Sequence, residues 1–107
     1  MRHIDPSNVL LVSCSKKRLL KELEFRAMKI DSFWIINSIP DVGPGSRVYF
    51  VDKKEVRGSF KITRIERTAI GIAVHYNLDT WISWVHHLFK PLRKRSIVVK
   101  LDELKTL

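Results

Sequence analysis

Residues 32–67 read SFWIINSIPDVGPGSRVYFVDKKEVRGSFKITRIER. An apolar run at 33–37 predicts a strand with Phe33 and Ile35 on one face and Trp34 and Ile36 on the other. Pro40, Gly43, Pro44 and Gly45 then force a tight, turn-rich loop. Extended structure resumes over 47–52, turns at Lys53-Lys54 and returns over 55–67. On the return, Val56, Gly58, Phe60 and Ile62 share one face and Arg57, Ser59, Lys61 and Thr63 the other. The alternation slips at Arg64-Ile65, which predicts a bulge or bend. Gly58 inside a strand predicts a close backbone approach or a barrel corner. Strands joined this tightly make the middle of a small, curled sheet with positive charge along its polar side.

On the N-terminal side, four consecutive aliphatics within 8–13 predict a buried strand. Ser13 or Ser15 offers the N-cap of a helix over about 16–28. Leu19, Leu20, Leu23 and Ala27 form its packing stripe, and Arg18, Glu22 and Arg26 form a charge ladder on another face. Lys16, Lys17 and Lys21 oppose the helix dipole near its start, a placement that a bound anion would relieve. On the C-terminal side, residues 69–76 alternate, with Ile70, Ile72, Val74 and Tyr76 facing together. Trp81, Trp84, Val85 and Leu88 fall at i, i+3, i+4 and i+7, which predicts a second short helix capped by residues 77–80 and ended by Pro91. A basic loop, Lys90-Pro91-Leu92-Arg93-Lys94-Arg95, precedes a last strand over 96–101, and the tail 102–104 has room for one helical turn.

At 107 residues the chain has room for a single domain, 1–107, with one core. Twenty Lys+Arg against eleven Asp+Glu give a net charge of +9, which favours phosphate-rich partners through counterion release, or else an anionic membrane surface, with plain solubility charge as the alternative. Cys14 is the only cysteine, which excludes an intrachain disulfide and a multi-cysteine zinc site. The aliphatic run at 9–12 is too short for a secretory leader, and no stretch is long and apolar enough to span a membrane. A cytoplasmic protein is expected.

The blocks VLLVSCS, PGSRVYFVD and VRGSFKITRI, with IVVKLDEL at the end, resemble the PUA-like superfamily, and within it the EVE-type domains related to YTH domains. Ser46 stands where that family usually carries Asp, and the chain is shorter than most full EVE domains. The resemblance implies an α+β fold: a small PUA-like β-barrel of about five or six strands with one N-terminal helix and a second short helix. It also implies a cleft between the first helix and the sheet that binds RNA or holds a single modified base.

The residues fit that chemistry. Single-stranded or flipped bases need cations for phosphates and rings for stacking. Lys16, Lys17, Lys53, Lys54, Arg57, Lys61, Arg93, Lys94 and Arg95 are the candidate phosphate contacts. Trp34 and Tyr49 are candidate base contacts, with Ser13 and Ser15 as polar partners where a strand-to-helix corner exposes N–H groups. His86-His87 on a helix point about 100° apart and do not make a metal site. No cofactor is implied. A thiolate role for Cys14 would need a histidine partner, such as His75, His86 or His87.

A hydrolase is the competing class. The ASCH branch includes small hydrolases using Lys, Thr and Glu near a Gly-x-Lys-Thr-type loop, but 16–26 lacks that loop and a suitable threonine. The chain also lacks phosphate-binding, zinc-protease and triad motifs, and a non-catalytic nucleic-acid-binding module, RNA preferred, is expected. A homodimer through an apolar helix at 81–89 is compatible with it.

Overall fold

Four adjacent aliphatics need cover on both faces, and the fold supplies it by placing them inside a sheet. In the computed structural model, which describes residues 5, 7–27 and 31–107, β1 (Asn8–Ser13) carries them. Its neighbours are β3 (Arg47–Asp52), parallel to it, and β6 (Ser96–Lys100), antiparallel. The sheet continues through β4 (Glu55–Thr68) and β5 (Gly71–His87) to β2 (Ser32–Ile36), each pairing antiparallel. The full order is β2-β5-β4-β3-β1-β6. Helix α1 (Lys16–Ala27) follows β1, and α2 (Leu101–Leu104) follows β6. Met28, the expected end of α1, lies outside the described residues.

The fold is α+β: a mixed six-stranded sheet with two short helices. Barrel closure is not found, because no ladder joins the edge strands β2 and β6 among the described residues. The sheet nevertheless curls tightly. The Trp34 ring on β2 lies 5.5 Å from the Phe50 ring on β3. Those strands stand three places apart in the order, about 14 Å in a flat sheet. The two rings meet only because the sheet folds over.

Apolar side chains divide between two clusters, where the sequence predicts one core. The larger holds Leu10, Val12, Phe50, Phe60, Ile62, Val74 and Tyr76 with Leu19 of α1; Phe60 stacks on Tyr76 at 5.0 Å. The smaller holds Val9, Leu11, Tyr49, Val51 and Val56 with Leu104 of α2. The alternation of β1 and β3 sends successive residues to opposite clusters. Val56 joins the second cluster while Phe60 and Ile62 join the first, because the β4–β5 register shifts between Val56 and Gly58. A further shift between Ile62 and Arg64 lies beside the predicted slip at Arg64-Ile65. Ile70 does not join Ile72, Val74 and Tyr76: it sits exposed in the hairpin turn.

The predicted helix around 81–88 is instead the C-terminal part of β5, which runs unbroken to His87. Its sequence, NLDTWISWVHH, is rich in aromatic and β-branched residues suited to a pleated surface. The strand also carries a wide bulge. Lys61 pairs with Asn77 and Ser59 with Ile82, two steps on β4 against five on β5. The extra residues put Leu78 and Trp81, three apart, into the same cluster. The proposed dimer helix is therefore a strand, with Ile82 and Val85 exposed on it.

Candidate nucleic-acid interface

The strand directions decide where the charge goes. Parallel β1 and β3 both end where β4 and β6 begin and where β5 finishes. Main-chain bonds tie the intervening loops together there: Ser13 N–H to Arg95 O (2.9 Å), Leu92 N–H to Lys53 O (2.9 Å) and Leu88 N–H to Lys54 O (2.7 Å). One end of the sheet thus gathers the first turn of α1 with Lys16 and Lys17, the β3–β4 turn with Lys53 and Lys54, Arg57, and the loop with Lys90, Arg93, Lys94 and Arg95. Asp52 and Glu55 lie among them, and Glu55 pairs with Arg57 at 3.0 Å. Three basic segments far apart in sequence meet at one end of the sheet.

Two cavities open at this end besides an apolar pocket along the 88–94 loop. One, of about 470 Å³, is lined by Asp52, Lys53, Lys54, Glu55, Arg57, His87 and Pro91. The other, of about 500 Å³, lies in the gap left by the curled sheet between β2 and the β1–β6 end. It is lined by Ser13, Arg18, Phe33, Trp34, Ile35 and Arg95. Ser15 caps α1: the Arg18 N–H donates to Ser15 Oγ at 3.2 Å. That cap fixes the first helical turn and with it Arg18, whose guanidinium carbon stands 5.1 Å from the centre of the Trp34 ring. Behind Arg18, its Nε lies 3.4 Å from Oε1 of Glu22. Glu22 is only 2% exposed, and its Oε2 is buried without a hydrogen-bond partner.

The candidate residues separate accordingly. Ser13, Trp34 and Arg95 line one cavity; Lys53, Lys54 and Arg57 line the other. Arg93 and Lys94 border an apolar pocket of about 460 Å³ with Leu11, Leu88, Phe89, Leu92 and Ile97. Lys61 is not brought there, since it pairs with Arg47 at the opposite end of β3. Tyr49 is not brought there either. It is buried in the smaller cluster with its ring 5.8 Å from Trp84, while Trp34 packs against the larger one. Sequence reasoning missed Glu22, which reads as a surface rung of an i,i+4 ladder. The only available signal was its position one residue before Leu23 on a helix whose start is basic.

Chemistry other than binding finds less to work with. Burial pushes the Cys14 thiol up to about 12, so it stays protonated at neutral pH. His86 and His87 are successive strand residues on opposite faces, with His86 stacked on Trp84 at 4.9 Å. Glu66 meets His75 Nε2 at 2.6 Å, but on the long β4–β5 hairpin rather than in either cavity. No group of three metal-ligating side chains occurs among the described residues. No helix among them is long and apolar enough to cross a membrane. No family model, curated protein or solved structure matches the chain.

Proposed function

We propose that the protein is a non-catalytic, cytoplasmic nucleic-acid-binding module of PUA-like, EVE-like type that holds a strand, RNA in preference to DNA, across the basic end of its sheet. The observation that carries this reading is the gathering of three basic segments at one end of the sheet, where one cavity is walled by Trp34, Arg18 and Arg95 and another by Lys53, Lys54 and Arg57. Phosphates would lie along Lys16, Lys17, Lys53, Lys54, Arg57, Arg93, Lys94 and Arg95, and one base would stack on Trp34. A ring beneath a base contributes about 1–3 kcal/mol whatever the base, whereas the cations contribute a salt-dependent term. An unpaired strand can offer such a base and a duplex cannot without flipping it, which favours a single-stranded ligand; the preference for RNA over DNA follows from the PUA-like resemblance.

The test is a salt titration of binding to labelled single-stranded RNA, single-stranded DNA and duplex DNA. Affinity is expected to fall steeply with salt and to favour single-stranded RNA. Replacing Arg93, Lys94 and Arg95 together by Ala should lower the slope of log affinity against log salt by about 2. Absence of binding at moderate salt, or an unchanged slope in the triple variant, would overturn the assignment.

A further inference from the structure

We infer that the base stacked on Trp34 is guanine, read through its donor edge by the buried carboxylate of Glu22; this rests on the nucleic-acid reading above. Arg18 already shows what the site accepts. Its guanidinium is planar, lies over the Trp34 ring at 5.1 Å and places Nε 3.4 Å from Glu22. Guanine contains the same unit. Its N1–H and 2-amino group form a flat fork of adjacent donors on an aromatic ring, the pattern a carboxylate accepts through both oxygens. Arg18 therefore occupies, from within the chain, the place such a base would take.

Exchange is favoured by the charge arrangement. A strand arriving at this end brings phosphates beside Arg95 and the α1 start, which attract the Arg18 guanidinium outward. Glu22 would then lose its ion-pair partner and keep only the neighbouring Tyr76 hydroxyl, while its Oε2 has no hydrogen-bond partner. A buried carboxylate without a charged partner is strongly unfavourable. A base with two adjacent donors satisfies both oxygens. Adenine presents a ring-nitrogen acceptor beside its amino group, uracil one N–H between two carbonyls, and each leaves the carboxylate facing a lone pair. Hypoxanthine keeps N1–H and lacks the amino group, so it should rank between guanine and adenine.

The experiment uses short uridine-rich RNA strands that differ in one central base: guanine, hypoxanthine or adenine. Binding is measured by fluorescence anisotropy at one fixed salt concentration, with the wild-type protein and with Glu22→Gln. Wild type should bind the guanine strand about tenfold or more tighter than the adenine strand, with hypoxanthine between them. In Glu22→Gln the preference should fall to near parity, because the amide opposes one of the two donors. Equal wild-type affinities for the three strands would overturn the guanine inference while leaving nucleic-acid binding in place. No binding of any strand would overturn both. Should the Gln variant fail to fold, the wild-type series alone decides between these outcomes.

Discussion

A methyl group has no room at Gly58. A Cβ placed there would come within 2.5 Å of the Ile82 carbonyl oxygen and of the Trp81 ring, and the indole packs straight onto the backbone. Gly58→Ala should therefore destabilise the fold by about 1–3 kcal/mol, read from denaturant midpoints. Cys14 offers a pH signature instead. Burial raises its thiol from the ordinary 9.0 to about 12, so the folded state favours the protonated form. That contribution is complete below pH 9 and is lost as pH climbs towards 12. Burial raises the Tyr76 hydroxyl as well, adding to the same alkaline loss from pH 10 upward. Cys14→Ala should flatten the fall in melting temperature that begins near pH 9, and the native thiol should resist thiol reagents at neutral pH. Gly58 was legible in the sequence because a glycine inside a strand has few explanations. Glu22 was not: a helical carboxylate four residues from an arginine reads as surface, and its burial depends on the strands packed over it.

The β5 strand shows where periodicity misleads. Three extra residues opposite Ser59–Lys61 make the segment irregular, and the helically spaced Trp81, Trp84, Val85 and Leu88 part company in it. Trp81 packs on the larger cluster, Trp84 and Leu88 on the smaller, and Val85 is exposed, so the aromatic and β-branched composition was the better local signal. Arg47 holds that irregular segment in place. Its Nε donates to Ser59 Oγ at 2.7 Å, and its Nη2 donates to the carbonyls of Ser59 and Thr80. The Thr80 hydroxyl completes the clasp by accepting the Lys61 N–H at 2.7 Å. Arg47→Met keeps much of the side chain's bulk and removes these donors. It should cost about 1–3 kcal/mol and accelerate amide exchange selectively around 77–82. By contrast β1, β3 and the Lys53-Lys54 turn were readable to the residue, since a continuous aliphatic run or a tight two-residue turn leaves little freedom in register.

At the scale of the molecule, the basic clusters were visible in the sequence but their common location was not. It follows from β1 lying parallel to β3 and antiparallel to β6, a long-range choice that composition does not encode. The placement makes a prediction about charge. Lys53→Ala with Lys54→Ala should lower the salt slope of RNA binding by about 1.4, whereas Lys61→Ala, at the opposite end, should leave it unchanged. The same strand order also governs how the chain reaches its native state on the ribosome. Among the described strands, β1 has both of its neighbours encoded downstream, and one of them, β6, follows all the other five. Until Ser96–Lys100 emerges, the apolar edge of Val9–Val12 lacks that partner and is open to pairing with another chain. Nascent chains halted before β6 would be natural clients for a chaperone that shields exposed strands.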